Sequence, residues 1–103
     1  MDAVLQAIAE PHRRAILQLV ATQELSAGDI AGHFSISRPA VSQHLSTLKE
    51  TGLLNERREG TKRLYQTRAE GLEEVRNFLE SFWDARLLRL KEVAEREEKA
   101  RRN

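Results

Sequence analysis

At 103 residues, with 40% apolar and 32% charged side chains, the chain has the make-up of one soluble globular domain, neither disordered nor membranous. It has no cysteine, which excludes a disulfide framework, a zinc-finger knuckle and a thiol nucleophile, and no run of the about 18 apolar residues that a membrane-spanning helix needs. The formal net charge is only +1, yet residues 35–65 hold six basic side chains against three acidic, residues 1–34 and 66–83 each hold two against four, and the last twenty hold seven against five.

Positive charge gathered in the middle of the chain suits an anionic partner meeting one face, although solvated surface charge is the plainer account of counts this small. The first ten residues, "MDAVLQAIAE", show no secretory pattern, so the expected location is the cytoplasm, with no membrane partner. A domain this small buries comparatively little surface by itself, and a partner subunit would help.

In chain order, residues 2–9 read as a short helix with Val4, Leu5 and Ile8 on one face. Pro11 opens a second helix, with Ala15, Ile16, Leu19 and Val20 as its apolar stripe. "TQEL" breaks the pattern, and Ser26 followed by Asp29 has the form of a capping box that starts a third helix through Ile30 and Phe34. Ser35-Ile36-Ser37 is a tight turn. Ser37 is a good N-cap for a fourth helix, which carries Pro39 in its first turn and ends near Thr51, with Gly52 as a left-handed cap.

Two short strands follow, near 53–58 and 62–67, around the turn residues Glu59-Gly60. Thr67 and Glu70 predict a second capping box and the start of a long helix, helical from about 69 to 95. Its stripe Leu72, Val75, Leu79 and Phe82 slips by one residue to Trp83, Leu87, Leu90 and Ala94. Such a helix is about 40 Å long at about 1.5 Å per residue, while a globule of this size has a radius of gyration of about 13 Å. Half of it has nothing of its own chain to lie against. The predicted domain is therefore 1–95, with 96–103 a charged, fraying tail. The fold class is mainly α with a small β-hairpin: four helices, two strands and a last helix, the order of a winged helix-turn-helix.

The fourth helix has two faces. Val41, Leu45 and Leu48 form one stripe, which Ile30, Phe34 and Ile36 are placed to cover. Arg38, Pro39, Ser42, Gln43 and Ser46 form a second, at least a third of a turn away. Short serines let a backbone come close, Arg and Gln match base edges in a major groove, and the helix start favours phosphate. The candidate DNA-contacting set on this helix is Ser37, Arg38, Pro39, Ala40, Ser42, Gln43, His44, Ser46 and Thr47. Arg57, Arg58, Lys62 and Arg63 of the hairpin join it, suited to phosphates or a minor groove. The plain alternatives are a surface helix and charges that protect an edge strand from aggregation.

The segments "AEPHRRAILQLV", "ELSAGDIAGHFSISRPAVSQHLSTLKETGLL" and "REGTKRLYQT" resemble the ArsR/SmtB family of bacterial winged-helix transcriptional repressors, over nearly the whole chain. The resemblance implies a homodimer held by the first and last helices, the fourth helix in the major groove and the hairpin as a wing. By position, Arg38, Pro39, Ser42 and Gln43 match the DNA-facing residues. The family's metal chemistry does not carry over. "ELSAGDI" has Ser26 and Gly28 where thiolate ligands would stand, and no histidine follows His44. The tail "FLESFWDARLLRLKEVAE" resembles a metal-independent branch of the family. Ser35 stands where the turn usually has glycine, and a serine held left-handed would cost about 1 kcal/mol.

His12, His33 and His44 fall on three different helices without ligand spacing, so no metal site and no cofactor is expected. Arg13 and Arg14 either touch a DNA backbone or buttress the domain; their place on a helix flank ahead of the motif favours the second. Phe78, Phe82 and Trp83 either line an effector pocket or fill a dimer seam, and helical-period stripes favour packing. The candidate seam is Val4, Leu5, Ile8, Leu72, Val75, Phe78, Leu79, Phe82, Trp83, Leu87 and Leu90. No nucleophile elbow, phosphate loop or His-framed carboxylate pair argues for catalysis. The reading is a homodimeric repressor, of its own operon, that binds an inverted-repeat operator; a small-molecule effector is left open. Its rivals are a protein–protein interaction module and a non-specific architectural DNA binder.

Overall fold

The computed structural model describes residues 1–102, with side chains described to residue 101. The elements are α1 (Asp2–Ala9), α2 (Pro11–Leu19), β1 (Leu25–Ser26), α3 (Ala27–Ala31), α4 (Arg38–Glu50), β2 (Leu54–Glu59), β3 (Lys62–Thr67), a 3-10 turn at Ala69–Leu72, and α5 (Glu73–Arg102). They form two compact units, Met1–Glu73 and Glu74–Asn103.

In the first unit the two-faced pattern of α4 is realised. Val41, Leu45 and Leu48 are at most 2% exposed and pack with Ile16, Val20, Ile30 and Leu53, while Phe34 and Ile36 close over the cluster. Each such side chain contributes about 1.5–3 kcal/mol on burial. Ser37 Oγ accepts from the Ala40 amide at 3.2 Å, and Ser26 Oγ from the Asp29 amide at 3.2 Å, so both predicted N-caps are formed. Gly52, at φ 77°, ends α4 in the left-handed conformation that side chains avoid.

The α1–α2 corner is held by two arginines. The last four carbonyls of a helix have no partner within it. Here Arg13 donates to Gln6 O and Ala7 O (3.1 and 2.6 Å), and Arg14 donates to Ile8 O and Ala9 O (2.8 and 3.0 Å). All four carbonyls are thus satisfied by neighbouring side chains of α2, the buttress reading of this pair.

Four expectations are corrected. "TQEL" leads into a strand: Leu25 pairs with Tyr65 and Ser26 with Leu64, making a three-stranded antiparallel sheet in the order β1-β3-β2. The third helix stops at Ala31 rather than reaching Phe34, because the Gly32, His33 and Phe34 amides turn back onto Gly28 O, Ile30 O and Ala31 O. Ser35 carries no left-handed strain, since no non-glycine residue among those described has positive φ. The Thr67 capping box does not form. Thr67 Oγ1 instead donates to Leu17 O at 2.7 Å and its amide to Val20 O at 3.0 Å, latching β3 to the end of α2.

The second unit is α5, 30 residues long, or about 45 Å. The segment 96–102, expected to fray, continues the helix; Asn103 lies outside the described residues. An Arg76–Glu80 pair at 3.0 Å supports its first turns, and the Phe78 and Phe82 rings meet edge to face at 5.0 Å. No helix among the described residues is long and apolar enough to cross a membrane.

Candidate nucleic-acid interface

The second face of α4 is open. Ser37, Arg38, Pro39, Ser42, Gln43 and Ser46 are exposed. Among the described residues, Arg38, Ser42, Gln43 and Ser46 engage no protein partner through their side chains. Ala40 and Thr47 are half-buried at the edges of this face. The Arg38 guanidinium lies over the start of α3, Nη2 being 3.5 Å from where a Cβ on Gly28 would stand. His44 turns away from the open face: it is half-buried, its ring stacked on His12 at 5.8 Å and its Nε2 3.8 Å from Glu10 Oε2.

The hairpin register sorts the four wing cations. Residues directly opposite in an antiparallel pair share a face, and Arg58 stands opposite Arg63, Arg57 opposite Leu64 and Lys62 opposite Glu59. Arg57 is already engaged: Nε and Nη2 donate to the two Glu24 carboxylate oxygens at 2.9 and 3.2 Å, and Nη2 also reaches Glu59 at 3.2 Å. These bonds push the Arg57 pKa up and, through the Arg57 hydrogen bond first, the Glu24 pKa down. Arg63 leans on Glu56 at 3.9 Å. Arg58 and Lys62 are exposed and without a protein partner among the described residues.

Tyr65 is buried beneath the wing, and burial pushes its hydroxyl pKa up, with the Glu56 charge and hydrogen bond adding to it. Burial also pushes Glu56 up, but Lys49, the Tyr65 hydroxyl and Arg63 together outweigh it, and the net direction is down. A polar cleft thus runs between α4 and the wing, lined by Ser42, Ser46, Lys49, Glu56, Arg63 and Tyr65.

The comparisons with known proteins agree with this geometry. The family model for bacterial regulatory proteins of the arsR family matches residues 10–56, from the cap of α2 to the start of the wing. The HTH-type transcriptional regulator Rv2034 of Mycobacterium tuberculosis is 44% identical over 82 residues, which is 80% of this chain and 77% of that protein. The chain belongs to the ArsR family.

The transcriptional repressor SdpR of Bacillus subtilis is 38% identical over 80% of this chain and 91% of its own length. A crystal structure of a possible transcriptional regulator for arsenical resistance superposes with a TM-score of 0.71 at 41% identity, over 81% of this chain and 85% of that one. An ArsR-like transcriptional regulator from Rhodococcus sp. RHA1 superposes at 0.72 with 28% identity, over 90% and 91%. Membership makes this chain a winged-helix, DNA-binding transcriptional regulator and not an enzyme.

Two features of this ArsR-family chain escaped the sequence. The Glu24–Arg57 bridge joins residues 33 apart, and no periodicity announces it. The His12–His44 stack joins α2 to α4 with Glu10 between them, although each histidine is isolated along the chain.

Proposed function

We propose that the protein is a homodimeric repressor that reads an inverted-repeat operator. In this reading α4 lies in the major groove and residues 53–67 rest on the flanking backbone or minor groove. The observation that carries it is the open row of Arg38, Ser42, Gln43 and Ser46, polar side chains held on a rigid helix with no partner among the described residues. Arg and Gln there match the acceptors of guanine and the donor–acceptor pair of adenine.

The wing adds sequence-independent grip. Like charges placed opposite one another in a sheet repel, and an anion between Arg58 and Arg63 relieves that repulsion. The dimer is supported by α5, where Phe82, Trp83, Leu87 and Leu90 are 56–62% exposed. An apolar row of that length on a soluble helix is an interface awaiting a second copy. Two copies related by a two-fold axis would set their recognition helices about 34 Å apart, one turn of duplex. Of the other candidate seam residues, Leu5 is exposed, Val4, Ile8 and Leu72 pack on the core, and Val75 is buried.

Location in the cytoplasm and repression of its own operon complete the reading, after the repressors it resembles. Selection from a random duplex library with the purified chain tests it. The expected result is an enriched palindrome with half-sites one turn apart. Sequence-blind binding with a steep salt dependence would instead mark an architectural DNA binder, and retention of a protein partner without DNA binding an interaction module.

A further inference from the structure

Glu10, His12 and His44 meet at the junction of α2 with α4. Glu10 is the N-cap of α2: Oε2 accepts from the Arg13 amide at 2.9 Å, while Oε1 lies 2.9 Å from His12 Nδ1. His44 reaches the same carboxylate from α4, and the two imidazoles stack 5.8 Å apart with their planes only 13° from parallel. One ligand atom from each of the three residues lies within 4.8 Å of the others.

In a tetrahedral site with bonds of about 2.0–2.1 Å, ligand atoms stand about 3.4 Å from one another. Rotation of the two imidazoles about their side-chain torsions would have to close that gap. Two imidazoles and one carboxylate are borderline and hard donors, a set that suits zinc, nickel or cobalt and not cuprous ion, which wants sulfur. The His12 side chain is 42% exposed, which leaves an entry path and an open fourth position for water.

We propose that Glu10, His12 and His44 form a divalent transition-metal site that cross-links the start of α2 to the recognition helix. It is separate from the third-helix and last-helix positions where the family resemblance looks for metal, and it uses no cysteine. Arg13 Nη1 lies 3.4 Å from His44 Nδ1. With the ion on Nε2, Nδ1 carries the ring proton and this long contact is released, while Arg13 keeps its two carbonyl partners on α1. Because His44 adjoins Gln43 of the open face, occupancy pins the helix that the proposed operator contact uses.

The test uses the full chain without DNA, so its outcome is independent of the operator reading. Isothermal titration with Zn²⁺ should give one ion per chain, and Co²⁺ should develop the visible ligand-field bands of a four-coordinate site. His12→Ala should weaken binding by more than about tenfold, a loss seen even for outer-shell partners of a metal. His33→Ala should leave binding unchanged, because His33 is spent on Asp29 O at 2.8 Å. Zn²⁺ should also raise the melting temperature of the wild type and not that of His12→Ala. If circular dichroism shows His12→Ala unfolded, His12→Gln, which keeps a polar side chain beside Glu10, replaces it. No saturable binding, or equal affinity in wild type and the His12 variant, overturns the proposal.

Discussion

Lys49, in the last turn of α4, donates from Nζ to Glu56 Oε2 on β2 at 3.2 Å, so the recognition helix and the wing are tied by one ion pair. Glu56 also meets Tyr65 and Arg63, and the net effect holds its carboxyl below its ordinary value of 4.5. A group with a depressed folded pKa stabilises the fold above its unfolded pKa, and that contribution is lost as pH falls through the folded value. Glu56→Gln should therefore be less stable than wild type at neutral pH, by up to about 1 kcal/mol for a half-exposed pair. The gap should close as pH drops below about 4.5 in thermal melts across the acid range.

Arg38→Ala should cost about 1–3 kcal/mol of affinity for the selected operator and relax the preference at one base pair. Quantitative binding to the operator and to its single-base variants reads both effects. Gln43→Ala should behave alike at a neighbouring position.

Arg58 and Arg57 should part company. Arg58→Ala is expected to weaken all duplexes alike and to flatten the dependence of log affinity on log salt by about one unit, the signature of a lost phosphate contact. Arg57→Ala should leave that slope unchanged, because its guanidinium is occupied by Glu24 and Glu59. Its effect should appear in the melting temperature. A salt series on both variants separates them.

Trp83→Glu and Leu87→Glu each place a charge in the exposed apolar row of α5. Sedimentation should find the variants monomeric at concentrations where the wild type is a dimer, and operator affinity should fall with the loss of the second half-site contact.

Gly71→Ala tests a close backbone approach. A Cβ at this position would collide with the Gly52 carbonyl at the end of α4. Overpacking of this kind costs about 1–3 kcal/mol. Chemical denaturation of the variant should show that loss with an unchanged denaturant slope.

The elements legible in advance were those whose chemistry is local. Ser26 and Ser37 cap the helices they precede, Pro11 and Pro39 sit in first turns, and Gly52 and Gly60 take positive φ where the chain reverses. The open row of α4 was legible for the same reason, because helical period sorts it from Val41, Leu45 and Leu48. What escaped depends on distant partners. β1 is two residues long, too short for alternation to register, and exists only because Tyr65 and Leu64 pair with it. Thr67 looked like a cap because Glu70 follows at the right spacing, but Leu17 O lay closer at hand. By sequence Arg57 stands with its basic neighbours, and Glu24 removes it from them. His44, grouped with the DNA-facing residues, belongs by contact to Glu10 and His12.

The arginine clamp on α1 has one mechanical result. A helix of eight residues is too short to persist alone, and its last four carbonyls are held by the Arg13 and Arg14 side chains of α2. The two helices therefore move as a single lever: whatever displaces α1 must swing α2 with it, and α2 begins at the Glu10 carboxylate that His44 of α4 approaches.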